Sequence, residues 1–126
     1  MNQSISVAYA EDNEPLRLLL VNALETKGPF KVLIKAQDGL DLIQQLIQTS
    51  VDIILLDINM PIMNGNEVLE YLKKSQSNTK VIVYSFHNSP EITENYLENG
   101  ASAFISKDSD IVHIVEEIQR IHYLKS

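Results

Sequence analysis

Five short apolar segments alternate with five amphipathic ones along this chain, and that order predicts an α/β domain: a parallel sheet with helices on both faces. Two further observations point the same way. Ile53–Leu56 is an unbroken apolar run, as a strand covered on both faces requires. Polar residues close four of the five strand candidates, and in an open parallel sheet ligands bind beyond the carboxyl ends of the strands. Right-handed crossovers between five such units give a doubly wound sheet. The length, 126 residues, suits one domain over residues 1–126.

The elements follow in order. Ile5–Ala10 reads as the first strand and ends at Glu11-Asp12. Leu16, Leu19, Leu20, Ala23 and Leu24 recur at helical spacing and predict one buried helix face. Asn13 caps that helix, Pro15 fits its first turn and Gly28 ends it. Residues 30–35 form the second strand. Leu40, Ile43 and Ile47, flanked by Leu42 and Leu46, predict a second helix after Asp38-Gly39. The third strand spans 51–57. Asn64 with Glu67 resembles a capping box and starts a helix carrying Val68, Leu69 and Leu72. A strand at 81–84 follows. Ser89-Pro90 opens a helix that stops at Asn99-Gly100. A short strand at 103–105 precedes a final helix with Ile111, Ile114, Val115 and Ile118, extending towards Ile121.

Composition excludes several classes. Acidic residues outnumber basic ones, 17 to 10, which argues against nucleic-acid binding by this chain alone. There is no cysteine, so disulfides, zinc–thiolate sites and thiol catalysis are absent. Met1-Asn2-Gln3-Ser4 lacks the basic and apolar regions of a signal peptide. Apolar runs such as Ile53–Leu56 fall far short of a membrane span. A cytoplasmic protein without membrane association is expected.

The strand ends carry Glu11-Asp12, Asp57, Ser85 and Ser106-Lys107, nearly a hundred positions apart yet converging on one sheet edge. Clustered carboxylates repel one another unless a cation joins them. Oxygen donors without His or Cys suit a hard ion, Mg²⁺ or Mn²⁺. Carboxylate, hard cation, ammonium and hydroxyl together describe a site for a transferring phosphoryl group. Asp57 is the candidate covalent acceptor, because carboxylates form aspartyl phosphates.

On these residues the chain resembles the response-regulator receiver domains of bacterial two-component signalling. The resemblance runs from Glu11-Asp12 through Asp57-Ile58-Asn59-Met60-Pro61-Ile62-Met63-Asn64-Gly65 and Ser85 to Phe104-Ile105-Ser106-Lys107. It implies a flavodoxin-like fold, a (βα)5 three-layer sandwich with strand order 2-1-3-4-5. It implies a histidine kinase or phosphotransfer protein as the phosphoryl donor to Asp57, in a Mg²⁺-dependent reaction. Asp12, Asp57 and the Asn59 carbonyl would then ligate the metal directly, with Glu11 helping through a water. Ser85 and Lys107 would contact the phosphoryl oxygens. Ser85 and the switch aromatic Phe104 would carry the signal to the face built from the fourth helix, fifth strand and fifth helix. Asn59 and His87 would set the lifetime of the phosphoryl group. An output domain or partner protein would read that face, and a homodimer is an open alternative. Such a domain assists its own phosphorylation and dephosphorylation but turns over no independent substrate.

Two departures stand out. Asp108 follows Lys107, where many receivers have a proline after a cis peptide, so a trans bond is expected here. The Lys107-Asp108 pair resembles receivers fused to helix-turn-helix DNA-binding domains. Phe86 follows Ser85, where a small residue is usual, and a bulky group there narrows access. That residue keeps alive one alternative, a pseudo-receiver that binds a partner without being phosphorylated, although the complete acid–Ser–Lys set argues against it. A flavin carrier on the same architecture needs a phosphate-cradling loop where this chain has Glu11-Asp12-Asn13-Glu14. A haloacid-dehalogenase-type phosphatase needs a D-x-D motif that Asp57-Ile58-Asn59 does not supply.

Overall fold

A computed structural model describes residues 4–75, 77–86 and 89–124. Its elements alternate as expected: β1 Ile5–Ala10, α1 Glu14–Lys27, β2 Phe30–Ala36, α2 Gly39–Gln48, β3 Ile53–Leu56, α3 Gly65–Lys74, β4 Lys80–Ser85, α4 Pro90–Glu98, β5 Ala103–Ser106 and α5 Ile111–Tyr123. All four strand pairings are parallel and the order is β2-β1-β3-β4-β5. Strand order therefore reverses between β1 and β3, which puts a crevice beyond their carboxyl ends.

Two cores flank the sheet. One packs Leu20, Val21 and Leu24 of α1 and Ile114, Ile118 and Ile121 of α5 against Val7, Tyr9, Leu55 and Tyr84. The other packs α2, α3 and Tyr96 of α4 against Ala8, Ile54, Leu56 and Val83. β3 contributes alternate residues to each core, the reason its sequence is continuously apolar. The caps act as predicted. Asn13 Oδ1 accepts from the Leu16 amide at 3.0 Å, and Asn64 with Glu67 forms a complete capping box.

The helix faces differ from expectation in two places. α1 buries Leu20, Val21 and Leu24, whereas Leu16 and Leu19 are exposed. α2 buries Leu42 and Ile43, whereas Leu40 and Ile47 are exposed. In both helices the chain offers more apolar residues than the narrow contact with the sheet can cover. Ile114, Ile118 and Ile121, which also have the spacing of a dimer stripe, are committed to the core. Among the described residues no peptide bond is cis, so Lys107–Asp108 is trans as expected. No described helix is long and apolar enough to cross a membrane.

Candidate functional site

Period-two alternation fixes which side chains meet at the carboxyl edge of the sheet. Tyr9 of β1 faces the α1/α5 core, and Glu11, two residues on, continues on that side. Ile105 of β5 faces the same core, and Lys107 follows two residues later. Leu55 likewise precedes Asp57. The three strand ends bring together a buried ion-pair cluster. Lys107 Nζ donates to Glu11 Oε1 at 2.5 Å and to Asp57 Oδ2 at 3.1 Å. Glu11 and Asp57 are almost fully buried, at 1% and 5% exposure.

Each buried carboxylate has further donors, as burial demands. The Tyr9 hydroxyl donates to Glu11 Oε1 at 3.1 Å, and the Asn13 amide donates to Glu11 Oε2 at 3.2 Å. The Asn59 amide donates to Asp57 Oδ1 at 3.0 Å. Arg17 Nη1 donates to the Glu11 carbonyl at 2.6 Å and ties α1 to the end of β1.

These surroundings pull the two acids apart. Burial raises the Glu11 carboxyl, but the bonds from Lys107, Asn13 and Tyr9 and the ammonium charge outweigh it, and the net shift is downward. Burial also raises Asp57. There the Asn59 amide and Lys107 do not overcome it, Glu11 adds to it, and the net shift is upward. Burial lowers Lys107, yet its bond to Glu11 and the charge of Asp57 leave it raised. Tyr9 is pushed strongly upward, first by burial and then by Glu11, so its hydroxyl is a fixed donor.

Asp12 is exposed at the rim. One carboxylate oxygen from each of Glu11, Asp12 and Asp57 lies within 4.8 Å of the others. Three carboxylates against one ammonium leave a local surplus of negative charge, with oxygen donors only. This donor set fits a hard divalent cation.

Ser85 closes β4 and is buried, and its carbonyl accepts from the Lys107 amide at 3.0 Å. Phe104 is half-buried against the α2/α3/α4 core and pairs in register with Val83, two residues before Ser85. Ser85 and Phe104 thus lie on the face of the sheet opposite Tyr9 and Tyr84. Asn59 is exposed at the start of the loop into α3. His87 lies outside the described residues. Met60 is buried and Met63 packs on the core, so both serve packing. In the same loop the Met63 amide donates to the Pro61 carbonyl at 2.8 Å across Ile62, whose φ is 74°. That is a γ-turn with a β-branched residue in left-handed backbone, a strained arrangement.

Sequence reasoning passed over Tyr9, Arg17 and Tyr84. The available signal was parity: Tyr9 precedes Glu11 by two residues in a strand, so its hydroxyl shares that face.

A five-stranded parallel sheet in this order, with acids and a lysine at its switch point, defines a receiver fold. The family model for the response regulator receiver domain matches residues 7–119, and the chain belongs to that family. It is 30% identical over 116 residues to the probable transcriptional regulatory protein NarL of Mycobacterium tuberculosis, covering 92% of this chain and 54% of that protein. The chain therefore spans about half the length of that relative. Among solved structures, the signal receiver domain of the putative response regulator NarL from Mycobacterium tuberculosis superposes with a TM-score of 0.92 at 28% identity, over 98% of this chain and 100% of that one. A DNA-binding response regulator of the LuxR family from Staphylococcus aureus gives a TM-score of 0.88 at 31% identity, over 94% and 98%.

Proposed function

We propose that this receiver domain is a phosphorylation-operated switch in which Asp57 accepts a phosphoryl group from a histidine kinase or phosphotransfer protein. The observation that carries the reading is the buried Glu11–Lys107–Asp57 cluster beside Asp12, at the reversal of strand order. In the transfer, an Asp57 carboxylate oxygen forms a bond to phosphorus as the donor's phosphorus–nitrogen bond breaks. The protein's part is positioning and charge compensation. Lys107 is held where it can follow charge from the carboxylate to the phosphoryl oxygens. Ser85 supplies a hydroxyl at the adjacent strand end. Glu11, Asp12, Asp57 and the Asn59 carbonyl would hold Mg²⁺, or Mn²⁺ in its place. That ion supplies neutralisation of the carboxylate and phosphoryl charges.

Readout follows from the opposite face of the sheet. Movement of Ser85 towards a phosphoryl group frees space beside Phe104, and the α4–β5–α5 face changes its contacts. The similarity to transcriptional regulators, with the Lys107-Asp108 pair, supports an output in transcription through a separate DNA-binding region. Nucleic acid is not a ligand of this acidic domain itself, and the setting is cytoplasmic. Asn59 lies beside Asp57 and is assigned to the lifetime of the acyl phosphate, with His87 as its counterpart after β4. Asn59→Ala is expected to slow dephosphorylation several-fold; an unchanged rate removes Asn59 from this role.

Beryllofluoride, which mimics an aspartyl phosphate, tests the site without a kinase. With Mg²⁺ it should raise the melting temperature above the value with either component alone, because a ligand bound only to the folded state stabilises it. Asp57→Asn should abolish that increment. An increment that survives in Asp57→Asn, or none in the wild type, would contradict the assignment and favour a constitutive interaction module.

A further inference from the structure

Lys107 has neighbours that are not charged. Its Nζ lies over two aromatic rings, 5.7 Å from the centroid of Tyr84 and 5.6 Å from that of Phe86. Both distances fall inside the range of about 6 Å in which an ammonium is attracted to a ring face. Tyr84 has an independent reason for its place: it is buried in the α1/α5 core and meets Tyr9 edge-on at 6.1 Å. Phe86 has none. It sits just past β4, is 55% exposed and belongs to neither core. A single exposed aromatic is ordinary. One placed over the ammonium that bridges both buried carboxylates is not explained by packing.

We infer that Phe86 is a positioning residue for Lys107, its ring steadying the ammonium beside Asp57 and so assisting phosphoryl transfer to that carboxylate. The inference rests on the proposed phosphoacceptor role of Asp57. It has the opposite sign to the steric expectation for this position. A screen over the pocket slows transfer and its removal speeds it, whereas a support for Lys107 speeds transfer and its removal slows it. It also depends on the ring rather than on bulk. Leucine fills space but has no quadrupole, and tryptophan has the strongest one.

The test compares Phe86→Ala, Phe86→Leu and Phe86→Trp with the wild type in two measurements. The first is the NMR shift of the Lys107 side-chain methylene protons without any phosphodonor. The Ala and Leu variants should lose the part of the ring-current shift that Phe86 adds to that of Tyr84, and Trp should keep such a part. The second is the rate of phosphorylation by acetyl phosphate with Mg²⁺. It should fall about two- to fivefold in Ala and Leu, the size of one exposed cation–π contact, and stay near wild type in Trp. Faster phosphorylation of Phe86→Ala, a Leu variant equal to wild type, or a lost ring-current shift without slowing would each overturn the inference. If the wild type takes no phosphoryl group at all, the Asp57 reading falls. In that case an unchanged Lys107 shift would also overturn the ring contact, and a lost one would leave that contact standing alone.

Discussion

Asp57 sits among groups that act on its proton in opposite directions. Burial and Glu11 raise its pKa, Asn59 and Lys107 lower it, and the net direction is up. A carboxyl whose folded pKa lies above its unfolded value contributes stability below the unfolded value and loses it as pH rises through the folded one. At neutral pH the ionised Asp57 therefore costs stability. Glu11 behaves oppositely: its pKa is lowered, so its contribution is present at neutral pH and is lost as the solution becomes acid. Asp57→Asn keeps one acceptor oxygen, enough for Lys107 or for the Asn59 amide but not for both, and removes one of three clustered charges. It should stabilise the metal-free protein at pH 7 by about 1 kcal/mol, an ordinary size for one substitution. The gap to wild type should narrow as the solution becomes acid and Asp57 takes up its proton. Thermal melts of both proteins from pH 7 downward check this; a variant less stable than wild type at pH 7, or a gap that ignores pH, would sink it.

At the scale of elements, the site depends on how α2 supports the loop from β3 to α3. Gly39 opens α2 and is buried against that loop. A Cβ there would lie 2.4 Å from the Met63 carbonyl oxygen and 2.9 Å from Val68 Cγ2. The first of these atoms is backbone, so the loop must shift. Alanine's better helix propensity offsets about 1 kcal/mol, less than the cost of overpacking, which reaches about 3 kcal/mol. Gly39→Ala should therefore lose about 1–2 kcal/mol in urea denaturation, and an unchanged midpoint would show that the loop yields freely. Element order, caps and the strand-end acids were legible in the sequence because each depends on neighbours along the chain. The buried faces of α1 and α2 were only partly legible. Leu16, Leu19, Leu40 and Ile47 fit the period but are exposed outside the helix–sheet contact. The ring pair over Lys107 depends on distances between strands, which periodicity does not carry, whereas the Tyr9–Glu11 bond lies at one strand end and follows from parity.

At the scale of the molecule, the sheet works as a frame that gathers distant residues. Lys107 reaches Glu11 across 96 positions and Asp57 across 50. The converging residues were legible because a parallel sheet has one carboxyl edge; their bonding pattern was not. The two cores separate tasks. The α1/α5 side carries Tyr9, Tyr84 and the continuation to Glu11 and Lys107, and the other side carries Phe104, packed on the core that includes Tyr96 of α4. To drive such a frame from 1:99 to 99:1 in favour of an active form, phosphorylation must supply about 5.5 kcal/mol of preference. On the proposed reading, the charge added at Asp57 would be the source, acting through Ser85 and Lys107. The measurement that bears most directly on this is the intact mass of the protein after incubation with acetyl phosphate, with and without Mg²⁺, for wild type and Asp57→Asn. One added phosphoryl group in the wild type, dependent on the metal and missing from the variant, is the predicted result. An adduct of equal extent in Asp57→Asn, or one indifferent to Mg²⁺, would contradict it.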